Sequence, residues 1–399
     1  MRVLNLQTRM VCFFACAAFL CSCATRNPIR PQLPAETSLN ETAGRGDWVR
    51  IKVHLENGKE IPLMVDTGGP HTVLDKSLEP LLGKRLGTGT WFEPLLGGLL
   101  KVNLYNAPKL YLGDTQLITS DRVYTYDFQK ESPGPMGVLG MDCLRNYCVQ
   151  FDFVNRKMRF LDPNRPGNDL GKAFPLTIIF GLVITRTDCF GTGKALFCPD
   201  TGFNYADAML KPKLFRRMSK EQKPVMAGQA KTLKTRPAAW FSKGTFGGEI
   251  YTNLTIMEWS GTRPAGDLIG LPLLARNLVT FNFPKRMMYL KQESIGPLNE
   301  GVFLSLEAAE FLNSLKEKGQ LLGWSKDDKW QGNVPGDVPN EAYPLSENFD
   351  CQKSNNPAVY HYTVVRASKN APWELQKAWR TDAKGCIIEE YSVSAKKHE

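Results

Sequence analysis

Histidine is scarce in this chain of 399 residues, which has only His54, His71, His361 and His398. The four are far apart and none belongs to a His-Glu-x-x-His motif, so nothing supports a zinc peptidase. The chain also lacks a Gly-x-Ser-x-Gly motif, which excludes a serine hydrolase built on that nucleophile turn. No nucleic-acid-binding motif is present. Any chemistry therefore has to come from other residue types.

The N-terminus has the features of an export signal. Arg2 and Arg9 precede the apolar run MVCFFACAAFLCSCA, which is too short for a stable transmembrane helix. We therefore predict a signal segment over residues 1–23 and a protein exported to the cell envelope or periplasm. The sequence LCSC resembles a bacterial lipobox, which would make Cys23 the lipidated first residue of a membrane-anchored lipoprotein. Plain cleavage near Ala24, without a lipid, is the alternative.

Six further cysteines are spread through the body of the chain. They are Cys143, Cys148, Cys189, Cys198, Cys351 and Cys386. In an oxidising compartment they could form up to three disulfides. Cys189 and Cys198 flank a short Gly-Thr-Gly-Lys turn and are candidates to bridge a hairpin, whereas the other connectivities stay open. Oxidised cysteines would offer no nucleophile.

The net charge of +10 is dispersed apart from one basic stretch, KPKLFRRMSKEQK, at 211–223. Such a stretch is typical of a solvated helix face. Attraction to an anionic lipid surface is the alternative.

An internal repeat is the strongest feature of the sequence. Apolar strand-like segments end at Asp66-Thr67-Gly68 and again at Asp200-Thr201-Gly202. Each motif is followed by two apolar residues and a glycine, Gly140 after 74 residues and Gly270 after 70. Beyond these glycines, GMDCLRNYCVQF parallels GLPLLARNLVTF over the same length. One Asp-Thr-Gly means little, but two copies with matching partners indicate two similar halves.

The repeat predicts an all-β fold with two homologous, β-barrel-like lobes at 46–165 and 170–293, because short strands and turn residues dominate both. Residues 162–171 are the predicted linker. Residues 300–399 do not repeat the lobes. We predict a helix, a polar linker at 325–346 and three antiparallel strands, which together form a small α+β appendage.

The two lobes resemble the pepsin-like and retropepsin-like superfamily of aspartic peptidases over about 250 residues. The residues that carry this resemblance are the two Asp-Thr-Gly motifs with Val138-Leu139-Gly140 and Leu268-Ile269-Gly270. The resemblance implies that Asp66 and Asp200 form a catalytic pair that activates water, without a metal or other cofactor. It also implies that Thr67 and Thr201 hold the two loops together, and that Gly68 and Gly202 let these loops turn.

The same resemblance implies a glycine-rich flap over the substrate around residues 95–102. Its candidate residues are Trp91, Phe92, Gly97 and Gly98, although packing alone would also explain the two aromatic residues. The expected partner is a peptide or protein substrate bound by a monomer, and no nucleic acid is expected.

The second motif departs from the family pattern. Phe203 follows it where the family has a small residue, and Gly69 stands at the matching place in the first lobe. Pro199 precedes Asp200 and removes a backbone donor. These departures motivate an alternative: a catalytically inactive, two-lobed module that binds peptides or proteins. A third interpretation, in which both aspartates are ordinary turn residues, does not explain the repeat.

Overall fold

A computed structural model of the chain describes residues 32–93, 98–128, 134–188, 190–230, 236–259, 266–334, 343–353 and 356–393. The predicted signal segment and Cys23 lie outside these residues, as does Cys189. Residues Met1–Leu33 and Pro34–Glu399 form separate units, and only the second is described below. Within the described residues, no helix is long and apolar enough to cross a membrane.

Lobe one is an open nine-stranded sheet preceded by a short strand, β1 (Thr37–Ser38). Its strands are β2 (Arg50–Leu55), β3 (Glu60–Val65), β4 (Val73–Asp75), β5 (Arg85–Glu93), β6 (Gly98–Asn106), β7 (Leu110–Leu112), β8 (Thr115–Gln116), β9 (Arg122–Tyr126) and β10 (Gly137–Leu139). They lie in the order β5-β6-β9-β4-β10-β3-β2-β7-β8, and a 3-10 helix (Lys76–Leu81) follows β4. The alternating burial along β2 matches the predicted period of two.

Lobe two repeats this plan. Its strands are β13 (Lys172–Ile179), β14 (Leu182–Asp188), β15 (Lys194–Asp200), β16 (Ala208–Leu210), β17 (Met226–Ala230), β18 (Arg236–Phe246), β19 (Glu249–Glu258) and β20 (Asp267–Gly270). The basic stretch forms a helix (Pro212–Gln222) between β16 and β17, with Phe215 and Met218 buried and most of its lysines and arginines exposed. The all-β class is confirmed, but the described sheets are open, which corrects the expectation of barrel-like lobes.

A third sheet joins the two lobes. It contains β11 (Cys148–Asp152), β12 (Lys157–Leu161), β21 (Asn277–Asn282) and β22 (Met287–Gln292), with β1 and β13 at its two ends. Strands β11 and β21 are antiparallel, and Gln150 lies opposite Thr280, to which its Nε2 donates a hydrogen bond of 3.0 Å. Both residues follow their repeat glycine, Gly140 or Gly270, by ten positions. The two halves of the repeat are therefore related by a local two-fold axis that passes between these side chains.

In each lobe, one short apolar strand is inserted between the strand before the aspartate and the strand after it. In lobe one, β10 is parallel to β3 and antiparallel to β4. In lobe two, β20 is parallel to β15 and antiparallel to β16. A short helix follows each inserted strand: α1 (Met141–Leu144) after β10, and α3 (Leu271–Leu274) after β20. The basic helix of lobe two is α2. This arrangement explains the apolar-apolar-glycine partner of each aspartate motif.

The C-terminal region is part of lobe two rather than an appendage to it. It contains a helix, α4 (Glu300–Glu317), and the strands β23 (Trp330–Val334), β24 (Leu345–Lys353), β25 (Val359–Arg366), β26 (Glu374–Thr381) and β27 (Ile387–Tyr391). The predicted linker at 325–346 includes β23, which pairs in parallel with β17 of lobe two. The sheet therefore has more than the three predicted strands, and Phe349, Tyr360 and Tyr362 are buried in one apolar cluster with Trp240 of lobe two.

Candidate active site

The two aspartate loops have the same internal hydrogen bonds. Asp66 directly follows β3, and the N–H of Gly68 donates to its Oδ1 at 2.7 Å. Asp200 ends β15, and the N–H of Gly202 donates to its Oδ1 at 2.9 Å. Each carboxylate is thus oriented by the glycine two residues further along its own loop.

The same glycines place the carboxylates next to each other. A Cβ on Gly68 would overlap the carboxylate of Asp200, and a Cβ on Gly202 would overlap the carboxylate of Asp66. Each glycine therefore lies between its own aspartate and the aspartate of the other lobe. The structure brings Asp66 and Asp200 together where the lobes meet, and only glycine fits at both positions.

The two threonines connect the loops across the interface. The N–H of Thr67 donates to Oγ1 of Thr201 at 3.0 Å, and the N–H of Thr201 donates to Oγ1 of Thr67 at 3.1 Å. Each hydroxyl then donates to a carbonyl of the other lobe, Thr67 to Pro199 at 2.7 Å and Thr201 to Val65 at 2.8 Å. Both threonines are buried, so these bonds form away from competing water and fix the two loops to each other.

Pro199 leaves the second loop intact. In lobe one, the N–H of Val65 donates to the carbonyl of Val49 at 2.9 Å, a bond that proline cannot make. The β14–β15 pairing accordingly ends at Phe197. The carbonyl of Pro199 nevertheless accepts a hydrogen bond from the Thr67 hydroxyl. The proline therefore removes a hydrogen bond to the neighbouring strand but keeps the one between the two loops.

Phe203 is also accommodated. Its side chain is fully buried and belongs to the apolar cluster of lobe two. Its carbonyl accepts the N–H of Leu271 at 2.7 Å, as the carbonyl of Gly69 accepts the N–H of Met141 at 2.8 Å in lobe one. The two loops therefore make the same backbone contact despite the difference in side chain.

Each lobe also has a second, buried aspartate that the sequence analysis did not identify. In lobe one, Asp142 accepts hydrogen bonds from the N–H of Thr72 at 2.8 Å and from its hydroxyl at 2.6 Å. In lobe two, Asp207 accepts a 2.6 Å hydrogen bond from the buried Arg276. Burial raises the pKa of Asp207, and the Arg276 guanidinium opposes that shift. No local sequence motif signals these contacts, because their partners are about 70 residues apart.

The predicted flap region forms a hairpin of β5 and β6. Trp91 and Phe92 lie near the end of β5, Gly98 begins β6, and Gly97 lies outside the described residues. The hairpin joins the site through β9, which pairs with both β6 and β4. The ring of Tyr124 on β9 contacts His71, which follows the first aspartate loop, edge-on at 5.3 Å.

Four of the six body cysteines are free thiols: Cys143, Cys148, Cys351 and Cys386. This corrects the expectation of up to three disulfides. Three of the four are buried, and burial raises their pKa, to about 12 for Cys148, so they resist conversion to the reactive thiolate. The Cys189–Cys198 hypothesis involves a residue outside the described part of the chain.

A side chain of lobe one contacts the second aspartate loop. Trp48, which precedes β2, donates its indole N–H to the carbonyl of Gly202 at 3.0 Å. The contact crosses from lobe one to lobe two.

No protein-family model matches the chain, and no curated protein sequence matches it significantly. Among solved structures, the crystal structure of basic 7S globulin from soybean is similar over 66% of this chain and 95% of that one, with 13% sequence identity and a TM-score of 0.43. The function is therefore inferred from the geometry of the site.

Proposed function

We propose that the chain is an aspartic-type endopeptidase in which Asp66 and Asp200 activate a water molecule to hydrolyse peptide bonds. The observation that carries this proposal is the packing of Gly68 and Gly202 against the carboxylates of the opposite lobe, because it brings two acidic groups together at one interface.

The proposed chemistry follows from the closeness of the two carboxylates. Two such groups a few ångströms apart do not readily both ionise, so the pair holds one proton, as is known for aspartic proteases. The ionised member takes a proton from water while the protonated member donates one to the oxygen of the scissile carbonyl. The attacking oxygen bonds to the carbonyl carbon. The carboxyl group that took the proton from water then passes it to the amide nitrogen, and the C–N bond breaks. One hydroxyl of the tetrahedral intermediate returns its proton to the other carboxylate, so the pair again holds one proton.

The buried threonine contacts support this role. Both loops must stay in register while protons move between water, substrate and carboxylates, and small displacements of catalytic groups cost large factors in rate. Four interlobe hydrogen bonds by two buried threonines limit such displacement.

The decisive experiment compares the wild type with Asp66→Asn, Asp200→Asn and the double variant on an unfolded protein substrate over a range of pH. We expect each single variant to lose at least about 100-fold in kcat/KM, because one carboxylate serves as base and the other as acid. The double variant should lose little more, since the pair acts as a unit. Circular dichroism should show an unchanged fold.

An inactive binding module predicts a different outcome. Such a protein would hydrolyse nothing at any pH, and its peptide binding would survive either asparagine substitution. Hydrolysis by Asp200→Asn at the wild-type rate would also contradict a catalytic pair that shares one proton. That variant is the sharper test because Pro199 and Phe203 surround the second aspartate.

We further propose that the protein is anchored in the cell envelope by a lipid on Cys23. The support is the sequence LCSC after an apolar run. Cys23→Ala should move the protein from the membrane fraction to the soluble fraction of fractionated cells, whereas Cys386→Ala, at an exposed thiol, should not. Unchanged membrane retention of Cys23→Ala would contradict the anchor.

A further inference from the structure

The peptide unit of Gly202 touches both catalytic candidates. Its N–H donates to Oδ1 of Asp200 at 2.9 Å, and its Cα faces the carboxylate of Asp66 so closely that a Cβ would overlap it. A shift of this glycine would therefore change the orientation of one carboxylate and the packing of the other. Whatever fixes Gly202 also fixes the geometry of the pair.

Trp48 makes a contact suited to that task. Its indole N–H donates to the carbonyl of Gly202 at 3.0 Å, and this contact comes from lobe one, to which Trp48 belongs. The residue that follows Gly202 is Phe203, whose side chain has no hydroxyl with which to hold the loop. The indole thus supplies a hydrogen bond from the other lobe.

Trp48 is itself held in place, which a positioning group requires. Its backbone N–H donates to Oδ1 of Asp47 at 2.8 Å, and its ring meets Tyr205 edge-on with centroids 6.3 Å apart. A second contact joins the same two segments, since Nδ2 of Asn204 donates to the carbonyl of Gly46 at 3.4 Å. Two hydrogen bonds therefore connect the segment before β2 to the second aspartate loop and the residues that follow it.

We propose that Trp48 is a positioning residue for the Asp66–Asp200 pair, acting through its indole N–H on the carbonyl of Gly202. This inference rests on the proposed peptidase function. Trp48 takes no part in bond making or proton transfer. It keeps Gly202 at the place where that residue orients Asp200 and supports Asp66.

The test separates the hydrogen bond from the packing of the ring. Trp48→Phe removes both the N–H and part of the ring. Replacement of Trp48 by β-(3-benzothienyl)alanine keeps the bicyclic shape but has sulfur in place of the N–H, so its packing on Tyr205 and its folding are preserved. Trp259→Phe is the matched control, because the Trp259 indole nitrogen has no hydrogen-bond partner within the described residues.

Steady-state kinetics on one peptide substrate, well below the melting temperature of every variant, give the readout. We expect kcat to fall about tenfold to 100-fold in Trp48→Phe and in the benzothienyl variant, with KM changed far less. Trp259→Phe should keep the wild-type kcat. A benzothienyl variant with wild-type kcat would overturn the inference while leaving the peptidase function intact. An inactive wild type would overturn both.

Discussion

Removal of residues 347–399 is expected to unfold lobe two. The truncation deletes most of β24 and all of β25, β26 and β27, and with them the side chains of Phe349, Tyr360 and Tyr362 from the apolar cluster that they share with Trp240. Each such side chain stabilises the fold by roughly 1.5–3 kcal/mol on burial, whereas the whole stability of a domain is about 5–15 kcal/mol. The loss is therefore comparable to the total.

Urea unfolding followed by circular dichroism would measure this effect. The truncated chain should show no cooperative transition from lobe two. Point variants provide a graded version: Tyr362→Ala, at a side chain 1% exposed, should cost about 3–5 kcal/mol. Ile387→Ala, at a side chain 60% exposed, should cost less than about 0.5 kcal/mol. A truncated protein that keeps the wild-type transition would show that the C-terminal strands are dispensable.

The second large effect concerns the glycines of the aspartate loops. Gly68→Ala and Gly202→Ala each place a methyl group where the carboxylate of the opposite lobe lies. The carboxylate or the loop must move, and a displacement of about 1 Å at a catalytic group can cost about 100-fold in rate. We expect both variants to lose at least that much in kcat/KM, and to lose about 1–3 kcal/mol of stability through overpacking.

Gly87→Ala is the matched control for this pair. Gly87 lies in β5, has no atom within 4 Å of its would-be Cβ, and has no left-handed backbone conformation. It should keep wild-type activity and stability in the same assays. Full activity of Gly202→Ala would mean that the carboxylates are not packed against the opposite loops.

The sequence predicted the central features of the site because they repeat. Asp66 and Asp200 are marked twice, by their own motifs and by the partners ending at Gly140 and Gly270. The strands around them follow from local apolar patterning. The structure adds the reason for these partners: β10, which contains the two apolar residues of the first one, pairs with both β3 and β4.

Contacts between distant, dissimilar segments could not be predicted in this way. Strand β23 is short and pairs with β17 about 100 residues earlier in the chain. Its sequence, WQGNV, has too little apolar alternation to indicate a strand. The Trp48–Gly202 hydrogen bond joins residues that are 154 positions apart, and no pattern within either segment indicates it. Such contacts depend on tertiary packing, which a pattern in one segment does not encode.

The pairing of β23 with β17 makes the two halves of the chain differ in structure. A symmetric assembly of two identical chains would add the same strand to both halves, since every feature of one subunit recurs in the other. Here both halves belong to one chain. Among the described residues, β23 extends the sheet of lobe two beyond β17, whereas β5 is an edge strand of the sheet of lobe one. Covalent joining of the halves thus permits one half to gain a strand that the other lacks within the described part of the chain. A strand added to one half alone is not available to a symmetric dimer of identical chains.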